Sequence, residues 1–217
     1  MDAEETNQPR NQQNQRGTAK ETRDARARIQ RNTETITTGF LERRRRISMD
    51  TVSNLEMTEY KQWLLWKFDK GRKVPLNEHG MPSGVDREHD FMDYETALAA
   101  SNKLAVQGVA FVFTKDDPFI GVDLDDAVTD DFRIMKPWAA DIATELNCYT
   151  EISPSLKGLK IFAKGKLPEG ARNRFSYYDG EVEVYEHGRF FTVTGCDIYG
   201  YKTENAEVDI AKLLGRI

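Results

Sequence analysis

Two carboxylates close an apolar run in Gly121-Val122-Asp123-Leu124-Asp125-Asp126, the stretch of this chain richest in chemical meaning. On a strand, alternate side chains share a face. Val122 and Leu124 would then enter a core while Asp123 and Asp125 project together from the other side. Carboxylates held that close repel, and one takes up a proton unless a cation lies between them. Hard divalent ions such as Mg²⁺ are held by one or two carboxylates together with substrate phosphates. Metal-assisted phosphoryl transfer is the chemistry on offer; an ordinary acidic strand end is the alternative.

Two further stretches supply complementary groups. Glu151-Ile152-Ser153-Pro154-Ser155-Leu156-Lys157-Gly158-Leu159-Lys160-Ile161-Phe162 reads as strand, Ser/Gly turn, strand. Hydroxyls and backbone N–H groups in such turns form anion-binding nests, and Lys160 adds a fixed positive charge. The same stretch also reads as a polar hairpin with an exposed lysine. From Glu181 to Gly195, alternation puts Glu181, Glu183 and Tyr185 on one face. Glu183 offers a third carboxylate. Arg189, just past the Gly188 turn, offers a fork for phosphate, a charge-assisted contact of about 1.5–3 kcal/mol. A solvent-facing Glu–Arg bridge, worth less than about 1 kcal/mol, is the plainer reading.

The elements that must carry these groups follow from pattern. Tyr60–Phe68 is aromatic and aliphatic, a strand. Lys73-Val74-Pro75 is extended, since the residue before proline avoids the α region. Residues 77–90 are rich in Gly, Pro, Asp and His, a loop, and Asp93 is placed to cap a helix through Ala97, Leu98 and Leu104. Val109–Phe113 and Phe119–Leu124 flank a turn at Lys115-Asp116-Asp117-Pro118. Pro137–Leu146 reads as a helix with Trp138, Ile142 and Leu146 on one side. Cys148–Ile152, Leu159–Ala163, Val182–Tyr185 and Arg189–Thr194 are short strands, and Val208–Leu214 is a last helix. Strands and helices interleave without strict βα alternation, which predicts an α+β (mixed α/β) class.

Composition sets the outer limits. The 217 residues carry a net charge of −5, unevenly spread: residues 1–48 hold 11 Lys/Arg against 7 Asp/Glu. That segment is Gln-, Asn-, Thr- and Arg-rich and has little apolar surface to offset the cost of ordering, so it reads as a flexible, disordered basic arm ahead of a folded domain over 49–217. Its run Arg43-Arg44-Arg45-Arg46 either grips nucleic-acid phosphates, with salt-sensitive affinity, or keeps a linker extended. Two cysteines and three spaced histidines give no disulfide or zinc framework. No apolar run spans a membrane and no signal segment opens the chain. The expectation is a soluble cytoplasmic protein.

From about Tyr60 to Gly200 these segments, in order, resemble the primase–polymerase (prim-pol) domain of the archaeo-eukaryotic primase superfamily, in its phage and plasmid form. The likeness runs from Trp63-Leu64-Leu65-Trp66-Lys67 and Lys73-Val74-Pro75 through Phe111-Val112-Phe113-Thr114 and Asp117–Asp126. It continues in Tyr149-Thr150-Glu151-Ile152-Ser153-Pro154-Ser155, Glu183-Val184-Tyr185 and Gly188–Gly195. The resemblance implies an RRM-like antiparallel or mixed sheet with helices packed on one side. It implies nucleotidyl transfer on a single-stranded DNA template, with two Mg²⁺ or Mn²⁺ ions on Asp123, Asp125 and Glu183. Ser155, Lys160 and Arg189 would hold the nucleoside triphosphate, Lys73 would line the nucleotide or template path, and a helicase would come from a separate chain. The family pattern Ser-Pro-Ser-Gly-x-Gly-x-His departs here at Leu156 and Lys160. Those departures motivate a second reading, a catalytically impaired nucleotide- or DNA-binding module; a metal-dependent nuclease is a third. Tyr177 and Tyr178 read either as base-stacking rings or as core.

Overall fold

The computed structural model describes residues 51–129, 135–198 and 200–217. The arm and its four arginines lie outside these residues. The class is α+β, with three helices and two antiparallel sheets among the described residues. The strands implied for one sheet thus divide between two.

The first sheet has the order β2-β1-β3-β9, from β1 (Trp63–Asp69), β2 (Arg72–Leu76), β3 (Gly108–Phe113) and β9 (Arg189–Val193). The second runs β5-β6-β4-β8-β7, from β4 (Phe119–Asp125), β5 (Tyr149–Ile152), β6 (Leu159–Lys164), β7 (Arg174–Tyr177) and β8 (Gly180–Tyr185). Residues 60–62, expected in the first strand, precede it, and Tyr60 packs edge-on against Phe119. The strand β7 carries no sequence signal comparable to the others.

Helix α1 (Tyr94–Lys103) starts where the Asp93 carboxylate accepts the Thr96 N–H at 2.7 Å, and its Tyr94, Ala97 and Ala100 join the core of the first sheet. Helix α2 (Pro137–Leu146) opens on a proline and ends at Asn147 in the left-handed region. It packs with α3 (Ile210–Leu214) against Ile120, Val122 and Leu124 of β4. Both helices therefore lie on one side of the second sheet, as expected; the other side gives Phe119, Tyr149 and Phe162 to the core of the first sheet and carries the charged residues beyond them.

The chain crosses between sheets at two places. Between β3 and β4 the buried Asp117 carboxylate accepts from the backbone N–H groups of Thr114 and Phe119, 2.7 Å each, and from Gln62. This satisfies a turn that would otherwise bury orphan donors. Between β8 and β9, Gly188 at φ +69° turns the chain just ahead of Arg189. The sheets meet at Gly121, where a Cβ would stand 2.5 Å from the Phe191 ring and 2.7 Å from Phe113. Only glycine permits that approach, and Asp123 and Asp125 follow it along the same face.

Candidate active site

Register assembles the site. Asp123 on β4 lies opposite Lys160 on β6 and opposite Glu183 on β8. Lys160 in turn faces Glu151 on β5, and Glu183 faces Arg174 on β7. A row of five charged residues, Glu151, Lys160, Asp123, Glu183 and Arg174, thus crosses the whole second sheet. One pair further along, Asp125 faces Glu181. The three acidic groups expected at the site are brought together, though residue 183 is some sixty positions from the other two.

Within this row Lys160 is 3% exposed, and its Nζ lies 2.5 Å from Asp123 Oδ2 and 4.0 Å from the centre of the Phe191 ring. A buried ammonium needs such a partner. The other Asp123 oxygen, Oδ1, is buried without a hydrogen-bond partner. Glu183 is buried; its Oε2 accepts from Tyr185 OH at 2.9 Å and lies 3.5 Å from Arg189 Nη2. The Arg189 guanidinium rests over the Tyr185 ring, 4.7 Å from its centre. The expected Glu–Arg bridge is present, but at the edge of the acidic cluster rather than on an open surface.

Carboxylate oxygens of Asp125, Glu181 and Glu183 lie within 4.8 Å of one another. Asp125 stands at the mouth, reached by solvent yet crowded by protein. Loss of hydration, then the charge of Asp123, lifts its carboxyl above the ordinary value. An all-oxygen donor set, an unpartnered carboxylate oxygen and a carboxyl pushed up by its neighbours fit a hard divalent cation.

The Ser/Gly turn lies beside these acids. Ser153 and Ser155 hydroxyls are 2.9 Å apart, and Ser153 Oγ accepts the Gly158 N–H at 3.2 Å. A Cβ on Gly158 would come 2.7 Å from the Leu124 carbonyl and 3.5 Å from Asp125 Oδ1. Leu156 sits at φ +66°, in the region glycine prefers. Ser155 is exposed on this turn. From β2, the Lys73 ammonium is crowded enough that its pKa is lowered, by lost hydration first and the Lys160 charge second. It stands at this site from an exposed position on the strand.

Three participants were missed from sequence. Glu181 shares a face with Glu183 at period two, a signal visible in Glu-Val-Glu but not used for a ligand. Arg174 had none, because its strand was not recognised. Glu151 reads in the sequence only as a residue of the strand over Cys148–Ile152. Tyr177 packs edge-on to Trp138 and against the core, while Tyr178 is 80% exposed and is not part of it.

Sequence similarity places this chain among the prim-pol domains of the phage type. A DNA primase-polymerase of Nitratiruptor phage NrS-1 is 34% identical over 159 residues, 72% of this chain. The chain spans about a fifth of that relative's length, 22%. No family model matches the chain.

Proposed function

We propose that residues 49–217 form a metal-dependent nucleotidyltransferase, a DNA primase or polymerase of phage or plasmid-type replication that adds nucleotides on a single-stranded DNA template in the cytoplasm. The observation that carries this reading is the meeting of Asp123, Asp125 and Glu183, with Lys160 and Arg189 beside them, in a chain similar to a protein named for that activity.

Asp123, Asp125 and Glu183, with Glu181, hold the Mg²⁺ or Mn²⁺. When bound, two such ions supply Lewis-acid stabilisation of the attacking and leaving oxygens in an in-line displacement. The protein's own groups do the rest. Lys160 holds Asp123 in place through their ion pair. Arg189, half-exposed and steadied on Tyr185, presents its free guanidinium edge to triphosphate oxygens. Ser155 and the backbone of its turn bind the same phosphates, and Lys73 closes the cluster from the first sheet. A 3′-hydroxyl held in line with the α-phosphate then displaces pyrophosphate.

The test is incorporation of labelled nucleotide, with and without primer, in Mg²⁺ and in Mn²⁺. Asp123→Ala or Asp125→Ala should lower incorporation by about two to three orders of magnitude while circular dichroism stays native. Extension by both variants at the wild-type rate ends the assignment. A second reading has one observation in its favour: Lys160 occupies an Asp123 oxygen, as a site retained for binding alone would permit. Saturable nucleotide or DNA binding without pyrophosphate release in either metal would select it.

A further inference from the structure

Four carboxylates share this end of the second sheet, and the chain supplies cations to them. Lys160 answers Asp123 from within the core. Arg174 answers the two glutamates from outside: Nη2 lies 2.5 Å from Glu181 Oε2 and Nε 3.2 Å from Glu183 Oε1. Its strand β7 is the edge of the sheet, and register sets Arg174 directly opposite Glu183. A guanidinium fork suits two carboxylates at once. Those two carboxylates are the same ones that, with Asp125, form the close oxygen cluster.

We infer that Arg174 is a built-in counter-ion, holding Glu181 and Glu183 until a divalent cation displaces it. Cation entry is therefore an exchange and not the filling of free oxygens. The inference rests on the metal reading proposed above. Arg174 is a positioning residue, acting through the two glutamates. The two pairs differ in how readily they yield. Arg174 is 60% exposed, and exposed ion pairs are weak, so its guanidinium can pass into water. Lys160 is enclosed and stays. Tyr185 and Arg189 keep Glu183 oriented when Arg174 leaves.

The experiment is a Mn²⁺ titration of the full chain without nucleotide or DNA, read by calorimetry and by the electron paramagnetic resonance of free Mn²⁺. Arg174→Gln should bind Mn²⁺ about three- to tenfold more tightly than the parent chain. Arg174→Lys, which keeps the charge but not the fork, should fall between. Arg172→Gln removes a neighbouring cation that rests on Phe175 and donates to the Arg174 carbonyl; it should stay within about twofold of the parent. Unchanged or weaker binding by Arg174→Gln overturns the inference, and so does equal tightening by Arg172→Gln, which would mean diffuse charge alone. Glu183→Gln separates the two levels. If it weakens Mn²⁺ binding while Arg174→Gln does not tighten it, only the counter-ion fails. If Glu183→Gln has no effect, the metal reading fails and takes this inference with it.

Discussion

Leucine at position 156 holds a backbone conformation, φ +66°, in which a Cβ crowds the following carbonyl at about 1–2 kcal/mol. The tight Ser153–Gly158 turn imposes that conformation, since Leu156 N–H is bound to the Ser153 carbonyl at 2.9 Å. Leu156→Gly should therefore stabilise the fold by up to about 1 kcal/mol, after the extra freedom of glycine in the unfolded chain is subtracted, seen as a higher urea midpoint. A lower midpoint would show that the half-buried leucine side chain matters more than the strain. Lys160 departs from the family pattern differently. It sets an ammonium against Asp123 where the family pattern has a planar imidazole. Both departures, and the Asp-x-Asp pair, were legible because they are local: a strand's period of two and a turn's need for glycine can be read from a few residues.

Element pairing was less legible, because it depends on partners far along the chain. The strands flanking Asp117 lie in different sheets, and nothing in their apolar content says so. One tie between the sheets is a carboxylate with no local signal of that role. Glu151 on β5 is fully buried, accepting the N–H groups of Thr194 and Gly195, just past β9, at 2.9 and 3.0 Å, and Tyr149 OH at 2.8 Å. Burial outweighs these bonds and pushes its carboxyl from 4.5 up to about 7. The folded chain then holds a proton that the unfolded chain gives up near 4.5, so stability is greatest below that pH and falls as pH rises to about 7. The loss contributed by this group is about 3 kcal/mol, at about 1.4 kcal/mol per pKa unit. Urea midpoints measured across that window should fall in the parent chain and flatten in Glu151→Gln. An unchanged slope in the variant assigns the proton elsewhere.

At the scale of the whole molecule, the basic arm belongs to the proposal and not to the described structure. If its four arginines grip template phosphates, deleting residues 1–48 should weaken single-stranded DNA binding. It should also reduce the slope of log affinity against log salt by up to about 3; an unaltered slope leaves the arm as a linker. Among the described residues no helix is long and apolar enough to cross a membrane. The row of five charges carries one last consequence. Every member owes its place to the same strand alignment that turns Val122, Val182 and Ile161 toward the helices. Sliding β4 by a single position would aim valine and leucine at the substrate and thrust aspartate into oil. On the proposed function, loss of activity and loss of the native fold should therefore come together.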